Sequence, residues 1–374
     1  MKAIRSIFAT TAILALVSAT ASVAHDNDAR ENDDALRPIT VAAFGDWPYS
    51  QYLLDNAHLL TDSVNSDRNV DLVVHVGDIH SGSMPCTSAG ILPPIATSNP
   101  GWNQSVFHVF QQFNAPLVYT PGDNEWTDCH KSKQLSSGAP LKELASVRNL
   151  FFAKAGHTLG RHEKRVFSQA EFFDDAFPAD SQFVENLMWA QSGVVFVTLN
   201  IPGGSNDDTS PWTGVFADSE AQAREASERR GANIRWLQAA FAQARKEHAK
   251  AVVVVSQADM WDPEALAAGG AGLDKYTPFV TVLADLALNF GRPVLMLNGD
   301  SHLFRVDHPL ADPNSPQGIV HHTRAVPNLT RIVVQGSTND PGEWLRITID
   351  PRSRNVFSWN NIVYCGSPSG SACQ

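Results

Sequence analysis

The sequence predicts an α/β protein, because short apolar runs alternate with amphipathic helical patterns and several runs end in the same Gly-Asp pair. Runs rich in Val, Leu and Ile and bounded by Gly, Pro, Asp or Asn are typical of buried strands. They predict strands at residues 40–44, 72–76, 117–120, 194–199, 251–256 and 294–297. Helical periodicity between them predicts helices at residues 52–65, 141–155, 233–248 and 276–290.

The C-terminal part has a different pattern. Residues 331–334, 345–349 and 356–359 are predicted to be consecutive strands with short turns, forming a terminal antiparallel set on the same body. Three long segments, at residues 83–102, 155–181 and 202–220, are predicted to be loops that build a substrate pocket.

The beginning of the chain has the features of an export signal. Lys2 and Arg5 precede an apolar run at residues 7–17, and Ser22-Val23-Ala24 supplies the small residues of a cleavage site. A membrane anchor is the alternative, but the run is too short and too rich in Ala and Thr for a spanning helix. We therefore expect an exported protein, periplasmic or secreted, without a membrane span after the signal is removed.

Four segments follow from these observations. They are a signal peptide at residues 1–24, an acidic disordered lead-in at 25–37, one domain at 38–364 and a cysteine-containing tail at 365–374. The formal net charge is -11, and becomes -13 once the signal with Lys2 and Arg5 is removed. Such an acidic chain is a poor candidate for binding nucleic acid and a reasonable one for binding divalent cations.

The four cysteines predict disulfides, because an even number in an exported chain indicates an oxidising compartment. Four cysteines allow three pairings, of which Cys86–Cys129 and Cys365–Cys373 are preferred. The first pair joins two loops that each follow a Gly-Asp pair, and the second closes a small loop in the tail. A zinc site is the alternative, but the sequence has no C-x-x-C spacing.

The Gly-Asp pairs carry the functional prediction. Asp46, Asp78, Asp123 and Asp300 each follow a glycine at the end of a predicted buried strand. Residues just beyond the carboxyl ends of neighbouring strands line one crevice in an open α/β sheet. Four carboxylates in one crevice repel one another unless cations lie between them, so the pattern indicates bound metal. One such pair would indicate no more than a turn or a helix cap.

These motifs resemble those of the calcineurin-like metallophosphoesterases over residues 40–307. The matching stretches are Gly45-Asp46-Trp47-Pro48-Tyr49, Gly77-Asp78-Ile79-His80-Ser81-Gly82, Gly122-Asp123-Asn124-Glu125-Trp126, Ser256-Gln257-Ala258-Asp259 and Gly299-Asp300-Ser301-His302. The resemblance implies a four-layer α/β/β/α sandwich of two mixed sheets, with two divalent metals at the carboxyl ends of the strands. It also implies hydrolysis of a small-molecule phosphoester by a hydroxide that bridges the metals.

Five positions depart from the family pattern. Pro48, Gln257 and Asp300 stand where the family has a metal-binding His, Asp123 replaces a metal-binding Asn, and Asn124 replaces the His beside it. The changes replace imidazoles with harder oxygen ligands, so we expect Mn²⁺, Mg²⁺ or Ca²⁺ rather than Zn²⁺ or Fe.

By position, the resemblance implies one metal on Asp46, Asp78 and His302. It implies a second on Asp78, Asp123, Asp300 and the Gln257 carbonyl oxygen, with Asp78 as the bridge.

Catalytic and substrate-binding roles are expected for residues in the same blocks. Asn124 is predicted to donate a hydrogen bond to a phosphoryl oxygen, although an amide cannot supply a proton. His80 and His130 are candidates for that proton, and Arg305 for a phosphate contact. The aromatic residues beside the metal blocks are predicted to form a substrate wall, and they are Trp47, Tyr49, Trp126 and Trp261.

Three other readings stay open from the sequence. The chain could be a non-catalytic binding protein on the same fold, since it lacks four of the family's histidines. It could keep its metals for stability alone. A serine esterase is a further alternative, but the sequence contains no G-x-S-x-G motif.

Overall fold

Two β-sheets form the centre of the molecule in a computed structural model that describes residues 36–86, 101–207, 211–338 and 342–364. In the first sheet the strand order is β12-β11-β1-β2-β3, and in the second it is β4-β5-β6-β7-β8-β10-β9. Strands β1, β2 and β3 are parallel neighbours, and so are β6, β7, β8 and β10. The edges beyond them are antiparallel, so both sheets are mixed.

The strand bounds are β1 Ile39–Phe44, β2 Val70–His75, β3 Leu117–Tyr119, β4 Phe167–Ser168, β5 Leu187–Gln191, β6 Val194–Thr198, β7 Ala251–Val255, β8 Val294–Asn298, β9 Arg305–Asp307, β10 Leu329–Val333, β11 Glu343–Ile349 and β12 Phe357–Val363. The α-helices are α1 Gln51–Asp55, α2 Ala57–Ser66, α3 Trp102–Phe110, α4 Pro140–Phe151, α5 Ser219–Lys246, α6 Pro263–Ala267, α7 Thr277–Phe290 and α8 Pro316–His321. Short 3₁₀ turns occur at Thr127–His130, Ser132–Gln134, Pro178–Gln182, Gly214–Phe216 and Leu273–Tyr276.

Three buried clusters give the molecule its layers. Val41, Val74, Val253 and Leu295, from both sheets, belong to the cluster between the sheets. A second cluster joins α5 and α7 to the outer face of the second sheet, and a third joins α2, α3 and α4 to the outer face of the first. Each buried Val or Leu contributes about 1.5–3 kcal/mol. The four-layer α/β/β/α sandwich that the sequence implied is therefore confirmed.

Most predicted elements are present with shifted ends. The helix predicted at residues 52–65 is two helices, because the chain leaves helical geometry at Asn56, which lies at φ -104° and ψ 20°. Helix α5 begins at Ser219, capped by the Asp218 side chain, so it starts 14 residues before the helix predicted at 233–248 (233 minus 219) and takes the last two residues of the loop predicted at 202–220. Strands β4, β5 and β9 and helices α3, α6 and α8 were not predicted, and each of them is nine residues long or shorter.

The prediction of one terminal antiparallel set is wrong. Strand β10 lies in the second sheet, parallel to β8, whereas β11 and β12 form an antiparallel pair in the first sheet. Strand β11 also pairs with β1, with Ile39 opposite Ile349. Three adjacent strands in sequence are thus divided between two sheets, because each finds its partner far away along the chain.

The predicted signal peptide, most of the acidic lead-in and the Cys365–Cys373 pair lie outside the described residues. Within the described ranges, no helix has both the length and the apolar character needed to cross a membrane.

Candidate metal centre

The four Gly-Asp pairs meet where the two sheets come together. Asp46, Asp78 and Asp123 follow the parallel strands β1, β2 and β3, and Asp300 follows β8 of the other sheet. The backbone N–H of Asp300 donates to both carboxylate oxygens of Asp46 at 3.2 Å, which joins the two sheets at this point. The first three aspartates are buried and Asp300 is half-buried.

The backbone turns at the aspartates and not at most of the glycines. Asp46, Asp78, Asp300 and His302 have φ of 47°, 61°, 74° and 62°. This left-handed region is uncommon for residues with a side chain, and such strain concentrates at functional sites.

The glycines provide space for the carboxylates. A methyl group on Gly122 would lie 2.0 Å from Asp78 Oδ1, and one on Gly299 would lie 2.4 Å from Asp46 Oδ2. A methyl on Gly203, in the turn Gly203–Asn206, would lie 2.6 Å from Asp300 Oδ1. Any side chain at these positions would displace a carboxylate, so glycine permits the close approach of strand ends.

Three of the expected ligands form a compact set, which we call the first half of the site. Asp46, Asp78 and His302 offer ligand atoms that all lie within 4.8 Å of one another. The His302 Nε2 is 3.3 Å from Asp46 Oδ1, and its Nδ1 is 2.7 Å from the Thr338 hydroxyl. Burial opposes protonation of His302, but the hydrogen bond and charge of Asp46 outweigh it and raise the pKa of the imidazole.

The Tyr49 hydroxyl lies inside the first half. It is 3.3 Å from Asp46 Oδ1, 3.1 Å from Asp78 Oδ2 and 3.3 Å from His302 Nε2. Burial, followed by the charges of the carboxylates, raises the pKa of this phenol well above its ordinary value. Tyr49 is therefore a member of the predicted aromatic wall that reaches the site. Its oxygen lies close to Asp46, Asp78 and His302.

Asp123, Asp300 and Gln257 form the second half of the site, which is more open. Gln257 Nε2 donates to Asp78 Oδ2 at 3.2 Å and to Asp123 Oδ1 at 3.3 Å, while its Oε1 accepts from the Gly203 N–H. Asp300 Oδ2 accepts from the Asp259 N–H at 2.9 Å. Turning the Gln257 amide to offer its oxygen to a cation would direct its NH₂ group at the Gly203 N–H.

The charges in the site need compensation. Burial raises the pKa of Asp78 well above its ordinary value, and Asp123, Glu125, Asp46 and Asp300 add to the effect. Burial is also the first cause for Asp123, whose pKa rises to about 7, and for Asp300, whose pKa is raised well above its ordinary value. A divalent ion would favour the charged form of these buried, crowded carboxylates, so the donor set fits such an ion.

Glu125 and Asn124 hold the turns in place. Glu125 Oε1 accepts from the Gly122 N–H at 2.7 Å, the Tyr119 hydroxyl at 2.6 Å and the Asp78 N–H at 3.2 Å. The Asn124 side chain donates to Asp78 Oδ2 at 2.9 Å and to the Tyr49 oxygen at 3.1 Å. Asn124 thus faces the first half of the site as a hydrogen-bond donor.

The candidate proton donors are not in the cluster of ligands. His80 is fully buried, its Nδ1 lies 3.1 Å from the Ser81 carbonyl oxygen, and burial lowers its pKa to about 4. Its Nε2 has no hydrogen-bond partner among the described residues. His130 is buried against Thr213, and burial, with the charge of Lys131, lowers its pKa.

The predicted tryptophan wall needs correction. Trp47 is 4% exposed and packs edge-on against Phe44, while Trp126 and Trp261 are fully buried. Arg229 covers the Trp126 ring and Arg331 covers the Trp261 ring. Buried indoles offer no face to a substrate, so these residues support the site from the core. Arg305 is half-buried on β9, where it pairs with Val333.

Several supporting residues were missed by the sequence analysis. His75, inside β2, accepts from the Gly77 N–H at 3.2 Å, and its other ring nitrogen lies 2.9 Å from the Trp47 carbonyl oxygen. Asp259 accepts from the Ser301 hydroxyl at 2.7 Å and pairs with the buried Arg331. Asp262 caps α6. A buried polar residue within an apolar run was the available signal for His75.

The disulfide Cys86–Cys129 joins the segments that follow Asp78 and Asp123. Its Cα atoms are 5.8 Å apart. These cysteines, with Glu143, are the other group of potential metal ligands that the described part of the chain brings together, but their sulfurs are bonded to each other.

Comparison with known proteins gives one family match. No curated protein shows significant similarity to the chain. Among solved structures, GAP50 of Plasmodium, described as the anchor in the inner membrane complex, is 11% identical with a TM-score of 0.44, and the match covers 90% of this chain and 87% of that one. Residues 39–304 match the calcineurin-like phosphoesterase family. Since that match spans most of the chain and includes all four Gly-Asp pairs, the protein belongs to the calcineurin-like phosphoesterase family.

Proposed function

We propose that this protein is an exported metal-dependent hydrolase of small-molecule phosphoesters. The observation that carries the proposal is the convergence of Asp46, Asp78 and His302 within 4.8 Å, next to two further carboxylates that burial leaves poorly solvated. Family membership supplies the reaction class. A phosphoester bond is the bond that such a centre cleaves in this family.

In the proposal, the first half holds one divalent ion and the second half a second ion, with Asp78 shared. The donors are mainly carboxylate oxygens, which favours Mn²⁺, Mg²⁺ or Ca²⁺. Gln257 belongs to the second set only if its side-chain amide turns, because its oxygen now accepts from the Gly203 N–H and faces away from the carboxylates. Divalent ions bound here would activate water and offset charge on the phosphoryl oxygens.

The protein's own groups then position the substrate. Asn124 and Tyr49 bring an N–H and an O–H to the space between Asp46 and Asp78, where a phosphoryl oxygen needs donors. The high pKa of Tyr49 keeps its proton in place, so it donates a hydrogen bond. In the proposal, His80 is a neutral imidazole that orients water. Arg305 contacts the part of the ester beyond the phosphoryl group.

Export is part of the proposal. Its support is the signal-like start of the sequence together with the disulfide Cys86–Cys129, because such bonds persist in oxidising compartments. Release of a mature protein beginning at His25 is the expected result. N-terminal sequencing of protein secreted or released from the periplasm tests this part independently of activity.

The test of function is metal analysis followed by assays. Mature protein freed of metal with EDTA should be inert, and Mn²⁺, Mg²⁺ or Ca²⁺ should restore hydrolysis of 4-nitrophenyl phosphate or bis(4-nitrophenyl) phosphate. Protein that binds two ions per chain but cleaves neither ester with any of them would support the non-catalytic binding protein instead. Protein that takes up no divalent ion would refute both.

A further inference from the structure

Two lysines stand beside the second half of the site. Two 3₁₀ turns follow the third Gly-Asp pair; Lys131 lies between them and Lys133 lies in the second. Lys131 Nζ is 2.5 Å from Asp128 Oδ1, and Lys133 Nζ is 2.8 Å from Asp128 Oδ2. Asp128 is buried, so one fixed carboxylate holds both ammonium groups on the same side of the site.

Both ammonium groups are close to the ligand residues. A methyl group on Gly204 would lie 3.8 Å from each of Lys131 Nζ, Asp128 Oδ1 and Asp123 Oδ2. A methyl on Gly82 would lie 3.1 Å from Lys133 Nζ and 2.6 Å from Asn124 Oδ1. Because both atoms lie within these distances of one point, Lys131 Nζ is less than 7.6 Å from Asp123 Oδ2, and Lys133 Nζ is less than 5.7 Å from Asn124 Oδ1.

The electrostatic effects agree with this placement. Although burial and Asp128 raise the pKa of Asp123, Lys131 and Lys133 both act to lower it. Burial opposes the charge of Lys133, but Asp128 outweighs it and, with Asp123 and Asp78, raises the pKa of the lysine. Lys133 therefore stays charged at neutral pH within range of the site.

The segment that carries the lysines is held to the site by fixed contacts. Asp128 N–H donates to the Asp123 carbonyl oxygen at 3.0 Å, and the Gln134 side chain donates to the Asn124 carbonyl oxygen at 3.0 Å. The disulfide at Cys129 adds a covalent link. The lysine side chains nevertheless reach solvent, with 26% exposure for Lys131 and 52% for Lys133.

The charge balance of the site determines which class of phosphoester the two lysines would bind more tightly. Two divalent ions would balance the four aspartates. Around Asp128, the two lysines outnumber the one carboxylate that they share, which leaves about one positive charge on their side of the site. A phosphomonoester carries about two negative charges above its second pKa of about 6, whereas a phosphodiester carries one. A second anionic oxygen on the substrate is what an additional ammonium group recognises.

We propose that Lys131 and Lys133, fixed by Asp128, bind the phosphoryl group and select phosphomonoester dianions over phosphodiesters. This inference rests on the proposed function and names its substrate class. The competing explanation is that the lysines only neutralise Asp123 and Asp128. In that case their loss would alter stability and metal affinity and affect both esters equally.

The test compares two esters in matched variants. For Lys133→Met, kcat/KM for 4-nitrophenyl phosphate should fall about tenfold, mainly through KM, because a charged hydrogen bond is lost. Hydrolysis of bis(4-nitrophenyl) phosphate should change less than about twofold, and Lys133→Arg should retain most of the monoester activity. In the double variant Lys131→Met/Lys133→Met, kcat/KM for 4-nitrophenyl phosphate should fall about a hundredfold. Lys142→Met, exposed on α4, is the control. Equal losses for both esters, or no loss, would overturn the proposal.

A binding measurement separates this inference from catalysis. Calorimetric titration of the Mn²⁺-loaded protein at pH 8 should show inorganic phosphate binding weakened about tenfold by Lys133→Met, with dimethyl phosphate binding unchanged. An unchanged Kd for phosphate would refute the lysine role. If the wild-type protein cleaves no ester but binds phosphate through the lysines, the proposed function fails and the anion site stands. Unchanged melting temperatures exclude unfolding.

Discussion

The two halves of the site differ in how completely they are assembled. In the first half, Asp46, Asp78 and His302 converge around one point, and the Tyr49 oxygen lies within 3.3 Å of each. In the second half, the Gln257 NH₂ group faces Asp78 and Asp123, and Asp300 is engaged by the Asp259 N–H. In the proposed function, the ligand atoms of the first half are already close together, whereas the Gln257 amide of the second half must turn before its oxygen can face a cation.

The difference follows from which elements carry the residues. The first half joins the ends of β1 and β2, which are fixed by a parallel register, to the turn after β8. The second half takes Asp300 from the same turn after β8, but it also depends on loops after β3 and β7 and on the turn Gly203–Asn206. Strand ends locate ligands more rigidly than loops do, so we expect two unequal metal sites.

Substitution of Asp78 is the most severe test of how the two halves of the site are related, because Asp78 contacts residues of both. We expect Asp78→Asn to lower kcat/KM by about a thousandfold or more and to weaken both metal sites. Asp62→Asn, exposed on α2, is the matched control and should behave as wild type. Retention of activity by Asp78→Asn would mean that the halves do not share this carboxylate.

Removal of the disulfide should affect the second half selectively. The loop closed by Cys86 and Cys129 spans 43 residues, for which the loss of stability is up to about 4 kcal/mol. Urea denaturation of Cys86→Ala/Cys129→Ala measures this change. In the folded variant, the weaker metal site should lose affinity and the tighter one should keep it. Equal weakening of both sites would show that the bond supports the whole centre.

Calorimetric titration with Mn²⁺ separates the two halves directly. We expect two binding events, with the tighter one at the first half by about tenfold to a hundredfold. Asp46→Asn should abolish the tighter event, and Asp123→Asn should abolish only the weaker one. A single event that both variants weaken alike would contradict unequal halves.

His75, inside β2, makes the stability of the folded protein depend on pH. Burial lowers the pKa of His75 to about 4, so the folded protein keeps it neutral while the unfolded chain protonates it below 6.5. The unfolded state therefore binds more protons between pH 6.5 and 4, and stability is lost as the pH falls through this window. Urea denaturation in EDTA measures the slope of the free energy of unfolding against pH. We expect this slope to be lower in His75→Gln by up to about 1.4 kcal/mol per pH unit.

The exposed His58, on α2, provides the control for this prediction. His58→Gln should retain the slope of the wild-type protein. The same slope in His75→Gln and wild type would show that another group titrates in this window.

The sequence was sufficient for features with a local cause. Each Gly-Asp pair follows a run that can only be a buried strand, so the placement of Asp46 and Asp78 at strand ends was predictable. The role of the glycine was not, because Gly122 and Gly299 make room for a carboxylate that follows another strand. That contact is between residues distant in sequence.

Other features depended on three-dimensional neighbours. Trp47 and Trp126 stand beside ligands in sequence, yet their side chains point into the core, because adjacent residues can face opposite ways. In the sequence, Lys131 and Lys133 have the pattern of ordinary surface lysines. Only the structure shows that both contact Asp128 and that Lys131 lies near Gly204. Residues 331–334 were grouped with the later strands because no local signal shows that β8 is their partner.

The pairing of β1 with β11 has a consequence for how the protein is made. Ile39 and Ile349 are opposite each other, although they are 310 positions apart (349 minus 39). Until the last strands have been synthesised, β1 presents an open edge, and such edges invite association with other chains. Closing contacts over this distance is slow. We therefore expect the first sheet to be completed only after β11 has been synthesised, so that β1 keeps an unpaired edge while most of the domain is being made.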